Sequence, residues 1–142
     1  MDRIVELLAL VVAGPMVGAE FGVAAFTNPI FGRLPDEAFR QARSNGSRML
    51  GRVMPFWYVA TLAVLIATAV ITSNWLVISA VALMALVVPL TVTVLVPVNN
   101  RIGAWSEEAD VSRDLARRWD RLHWLRVVLL TVMFVTLVAG TR

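Results

Sequence analysis

The chain has 142 residues, 58% of them hydrophobic, with a formal net charge of +3 and a mean hydropathy of +0.74. Soluble domains sit nearer 45–50% apolar, so the excess exceeds what one small core can bury, and lipid is the surrounding that accounts for it. With no cysteine and one histidine, disulfides, thiolate metal sites, cysteine nucleophiles and a two-histidine metal triad are all excluded.

Four apolar stretches follow one another, at about residues 4–26, 53–72, 76–98 and 122–140. A span needs roughly 20 residues to cross the hydrocarbon. The first three reach this directly, and the fourth does so by extending backwards through Leu122 towards Trp119. The first stretch is not a cleavable signal: it is too long, carries Glu6 and Glu20, and has Asp2 where a basic segment is expected. The expectation is a single membrane domain over 1–142, an all-α bundle of four transmembrane helices joined by helical, arginine-rich loops.

Arginine placement orients the bundle. Segments 27–52 and 99–126 carry Arg33, Arg40, Arg43, Arg48, Arg52, Arg101, Arg113, Arg117, Arg118, Arg121 and Arg126; the opposite side has only Arg3 and Arg142. The positive-inside rule places loops 27–52 and 99–121 in the cytoplasm, both termini outside and the protein in the plasma (inner) membrane. Pro35-Asp36-Glu37 reads as a helix start, with Ser44-Asn45-Gly46 as its end, and Asp110–Arg121 reads as a helix running into the fourth span. The Ser73-Asn74 turn makes spans two and three a hairpin. Basic residues alternate with acids and no glycine-rich phosphate loop is present, which argues against nucleic acid and nucleotide.

Within this frame a few polar residues need a reason. Glu20 lies inside span one, where a carboxylate costs a few kcal/mol or more. It is either a base, ligand or proton carrier, or a structural partner for Arg126, Arg52 or His123. Gly14, Gly18 and Gly22 repeat every four residues, a small-residue face for close helix approach within one chain or between two copies. Trp119, His123 and Arg126 fall on one helical face. Arg126 is deep, cannot lose its charge, and has Glu20 as the only carboxylate at its depth. Asn28, Asn99 and Asn100 stand at span exits, where capping explains at least one of them. Pro89 is expected to kink span three and free a carbonyl inside the bundle. Trp57, Tyr58, Trp105, Trp119 and Trp124 gather at the same face, where aromatics commonly anchor a helix.

The run Pro97-Val98-Asn99-Asn100-Arg101-Ile102, then Trp105, then Trp119-x-x-x-His123-x-x-Arg126, together with Phe26-Thr27-Asn28-Pro29, resembles the DUF1772 family, which includes the anthrone oxygenase-like proteins of polyketide pathways. The resemblance implies a four-helix membrane protein, some of whose relatives oxidise anthrones to anthraquinones with dioxygen and neither metal nor flavin. It assigns His123 or Glu20 as base, Arg126 and Asn100 as holders of the oxyanion, and Trp57, Trp105 or Trp119 as stacking partners of a flat aromatic substrate, with Asn28 at the same site. No cofactor is expected, and a homo-oligomer stays open. Two other readings stand beside it. A glutamate in span one also resembles the small multidrug exporters, which couple protons to transport, although their loops are far shorter. A non-catalytic membrane subunit would instead pair Glu20, His123 and Arg126 with one another and hold no cavity for a flat ligand.

Overall fold

The computed structural model describes residues 1–142. It contains four long helices, each long and apolar enough to cross a membrane: α1 (Asp2–Gly32), α2 (Asp36–Thr72), α3 (Trp75–Gly103) and α4 (Arg113–Gly140). They form an up-and-down ring in which α1 packs on α2, α2 on α3, α3 on α4, and α4 closes on α1. Outward-facing positions are apolar: Leu7, Val11, Ile66, Val70, Leu86, Val128 and Val135 are all exposed. This is the signature of a bundle whose solvent is hydrocarbon.

The connections are chemically specified. Ser73 closes α2 with a left-handed φ of 49°, and the Asn74 side chain then accepts the Leu76 N–H at 2.9 Å to start α3. The Asn74 amide also donates to Gly140 O at 2.8 Å, tying the far end of α4 to the hairpin. Before α4, Asp110 accepts from the backbone N–H groups of Ser106 and Glu107, bonds that hold its carboxyl below the usual range. Ser112 then caps α4 through the Leu115 N–H. The helix therefore begins at Arg113 and not at Asp110, because Asp110 is spent closing the turn before it.

A further expectation is corrected, and one left open is narrowed. The helix that begins at Asp36 does not end at Ser44-Asn45-Gly46; it runs unbroken to Thr72. Gly46 stays helical because nothing there imposes a left-handed residue, and mid-helix glycine costs only about 1 kcal/mol. The apparent loop 27–52 is thus almost wholly helix projecting beyond the apolar span. The glycine stripe also does not make a continuous seam within the chain. A side chain at Gly14 would meet the Phe134 ring at 3.3 Å, but Gly18 and Gly22 have nothing within 4 Å. The tight approach is at Gly140, where a Cβ would lie 3.0 Å from Leu76 and 3.1 Å from Val77.

Two helices carry a π-helical turn, Val23–Thr27 in α1 and Thr91–Leu95 in α3. Each is followed within two residues by a proline, Pro29 or Pro97, which lacks an N–H and pushes against the preceding turn. The wider turn absorbs that conflict without breaking the helix. Pro89, where a kink is expected, lies within the regular helical stretch Trp75–Leu90, and the π turn begins only after it, at Thr91. Apolar packing falls into two clusters: one around Met16, Leu65, Met84 and Leu130, the other around Phe39, Leu95, Ile102 and Trp119. The polar residues of the bundle interior lie at the seam between the two.

Candidate functional site

Glu20, Tyr58, His123 and Arg126 meet at that seam, one residue from α1, one from α2 and two from α4. Glu20 is 3% exposed, His123 1% and Arg126 7%. Arg126 Nη2 donates to Glu20 Oε2 at 2.8 Å, and the Tyr58 hydroxyl donates to Oε1 at 2.8 Å. The same Arg126 Nη2 lies 2.9 Å from His123 Nδ1, while His123 Nε2 lies 3.0 Å from the Glu20 backbone carbonyl. A carbonyl only accepts, so Nε2 carries the imidazole proton; a guanidinium only donates, so Nδ1 presents its lone pair. A neutral imidazole satisfies both contacts at once.

Nδ1 stands 3.2 Å from Glu20 Oε2, two acceptor atoms held together because one Arg126 nitrogen donates to each. The guanidinium compensates the charge of Glu20, without which a buried carboxylate is not tolerable in a membrane.

Beside this cluster lies a cavity of about 280 Å³, at the lower edge of the ~300–1,000 Å³ common for small-molecule sites. Glu20, Tyr58, Asn100, Trp119, His123 and Arg126 form its polar side, and residues such as Val23, Leu62, Val88 and Leu95 its apolar side. It opens where α2 and the Thr91–Leu95 turn part: the two helices pack on each other before and after that turn, but hardly along it. Most buried polar atoms have protein partners, yet Arg126 Nε, Trp119 Nε1 and Thr91 Oγ1, all on residues that line the cavity, have none. Buried donors without partners are rare and call for an explanation.

The expected site residues divide. Glu20, Asn100, Trp119, His123 and Arg126 line one cavity. Trp119 stacks on His123 with centroids 4.6 Å apart and planes 15° from parallel. Asn28 lies behind that stack, where its Oδ1 accepts from Arg43 at 2.7 Å. Trp57 is outside the cavity and donates to Val12 O at 2.9 Å. Trp105 is packed against Phe39, 6.2 Å between centroids.

Two residues carry more than the sequence reading gave them. Tyr58, grouped there with the interfacial aromatics, is a direct ligand of Glu20; its signal was the recurrence of Tyr58, Thr61, Leu65 and Thr68 on the buried face of α2. Arg43, counted only for orientation, is 4% exposed. It bonds Asn28, Asp120 at 2.8 Å and Ala116 O at 3.3 Å, and lies 5.5 Å over the Trp119 ring. Arg43, Trp119 and His123 thus form one stack that fixes the imidazole plane.

The ion pair predicts non-additive stability. Arg126→Met alone should cost about 3–5 kcal/mol in reversible unfolding from detergent, because it strands a buried carboxylate. Combined with Glu20→Gln, the loss should be clearly smaller than the sum of the two single losses. Additive losses would show that the two side chains do not interact.

In comparisons with known proteins, no curated protein and no solved structure matches this chain. The family described as anthrone oxygenase matches residues 39–136. That segment holds Tyr58, Asn100, Trp119, His123 and Arg126, while Glu20 and Asn28 lie before it. With more than half of its length covered, four spanning helices and no strand, the chain belongs to the anthrone oxygenase family.

Proposed function

We propose that the protein oxidises a flat aromatic ketone of the anthrone kind with dioxygen in the cavity between α2 and α3. The observation that carries this reading is the Glu20–His123 pair: a carboxylate oxygen and an imidazole nitrogen 3.2 Å apart, on the wall of a largely apolar cavity. Such a pair is suited to take a proton from carbon. An anthrone has an acidic C–H para to its carbonyl in the central ring. Its proton passes to the pair, and the electron pair left behind delocalises onto the ketone oxygen. Arg126 and Asn100, both on the cavity wall, hold that oxyanion, a role that buried donors perform well. The carbanionic carbon adds dioxygen, the proton returns from the pair to give a hydroperoxide, and loss of water leaves the second carbonyl. The sum is anthrone plus dioxygen to anthraquinone plus water. Dioxygen is the oxidant, and the route draws on no group beyond chain, substrate and dioxygen.

The non-catalytic reading draws support from the mutual pairing of Glu20, His123 and Arg126, but the cavity beside them weighs against it. The exporter reading rests on Glu20 alone. Arg126, 2.8 Å away, already supplies the cation that an exported one would have to replace.

Two outcomes follow. His123→Gln and Arg126→Lys should each lower anthrone oxidation, followed as dioxygen uptake, by roughly 10²–10³-fold while helix content is kept; wild-type rates in both would sink the assignment. For orientation, we propose that the arginine-rich ends of the helices face the cytoplasm. Because the chain has no cysteine, single replacements report cleanly: Ser106→Cys should react with an impermeant thiol reagent only from the cytoplasmic side, and Ser73→Cys only from the other. The reverse pattern would invert the topology.

A further inference from the structure

A second hollow, of about 380 Å³, adjoins the apolar cavity and shares Gly51, Asn99 and Asn100 with it. Its character is opposite. Its wall has a single apolar residue and no carboxylate, and it includes Arg48 and Arg52. Arg40, Arg43, Arg113, Arg117 and Arg126 are each paired with a carboxylate. Arg48 has only the Asn45 amide oxygen as partner and no carboxylate lies against Arg52; of the arginines without an ion pair, these two line the hollow.

The hollow is shaped by close backbone approach. Asn99 Nδ2 donates to Ser47 O at 3.0 Å, pinning α3 to α2. A Cβ at Gly51 would come within 3.2 Å of that same Nδ2, and one at Gly103 within 3.3 Å of Arg48 Cγ. Glycine at both positions lets the helices close while Asn99 and Arg48 keep their places. The two hollows thus adjoin, with an apolar chamber at the inner end and two guanidinium groups with two asparagine amides at the outer end.

We propose that the outer hollow binds an anionic group, carboxylate or phosphate, on the same elongated ligand whose apolar body fills the inner cavity. This rests on the reading of the inner cavity as a site for a flat aromatic ring system, and it narrows the ligand class to acidic aromatic amphiphiles. The anion has two sources: an acid on the ring system itself, or the headgroup of a lipid whose chain enters the cavity. Guanidinium–carboxylate bonds are charge-assisted and stronger than neutral ones, so an acid group at the correct end gives a gain in affinity that an uncharged ring cannot.

The test compares anthracene with anthracene-2-carboxylate, following energy transfer from protein tryptophan, in nanodiscs of phosphatidylcholine. The acid should bind about tenfold tighter or more. The Arg48→Gln/Arg52→Gln double variant should lose that preference, and Arg48→Lys/Arg52→Lys should keep most of it. Equal affinity for the two probes, or a preference that survives the glutamine substitutions, overturns the proposal. Exchanging part of the lipid for phosphatidylglycerol identifies the source: loss of the acid's advantage assigns the hollow to a lipid headgroup, and an unchanged advantage assigns it to the ring ligand's own acid. The probes are unreactive, so the result is independent of turnover. A preserved preference without anthrone oxidation defeats the oxidation alone.

Discussion

The Glu20–Arg126 ion pair is the constraint around which the interior of this bundle is arranged. A carboxylate inside a spanning helix needs a compensating charge, and a guanidinium there needs one as much. Each supplies the other across the α1–α4 contact, at 2.8 Å. Once that pair is fixed, the remaining polar groups have little freedom. Tyr58 takes the second carboxylate oxygen, His123 is wedged between the guanidinium and the Glu20 carbonyl, and Trp119 is stacked under the imidazole. The two apolar clusters lie on either side of this layer.

The helices are irregular beside this layer. Both π turns, Val23–Thr27 and Thr91–Leu95, contribute residues to the cavity wall beside it, Val23 from one and Thr91, Val92 and Leu95 from the other. A regular α3 would run along α2 throughout; the wider turn separates the two helices locally, and the space between them is the cavity. Proline chemistry in two helices thereby accompanies a chamber whose polar wall is the Glu20–Tyr58–His123–Arg126 cluster.

Much of this was legible in the sequence. Four apolar stretches gave the four spans, and the helical spacing of Trp119, His123 and Arg126 placed them on one face. The shortage of intramembrane carboxylates left Glu20 as the natural partner of Arg126. Other features were not legible, for physical reasons. An arginine on a polar helix looks the same whether solvated or buried, so Arg43 was invisible until the packing of Phe39 and Trp119 around it was known. Trp57 and Trp105 have the right composition for a stacking role, but which side of its helix each occupies relative to the cavity is a matter of tertiary packing. The end expected at Ser44-Asn45-Gly46 rested on local turn chemistry, which the continuous pairing of α2 with its neighbours overrides.

The family gives the kind of protein, and the cluster gives a chemical reason for the reaction proposed for it: carbon acidity met by a buried base and a buried oxyanion partner. The most direct measurement of that claim is the kinetic isotope effect on anthrone oxidation with both hydrogens of the acidic carbon replaced by deuterium. The account predicts a primary isotope effect on kcat/KM in the intact protein, because the Glu20–His123 pair takes that proton in the chemical step. Turnover at equal rates for the two isotopologues, unaltered by Glu20→Gln, would contradict it.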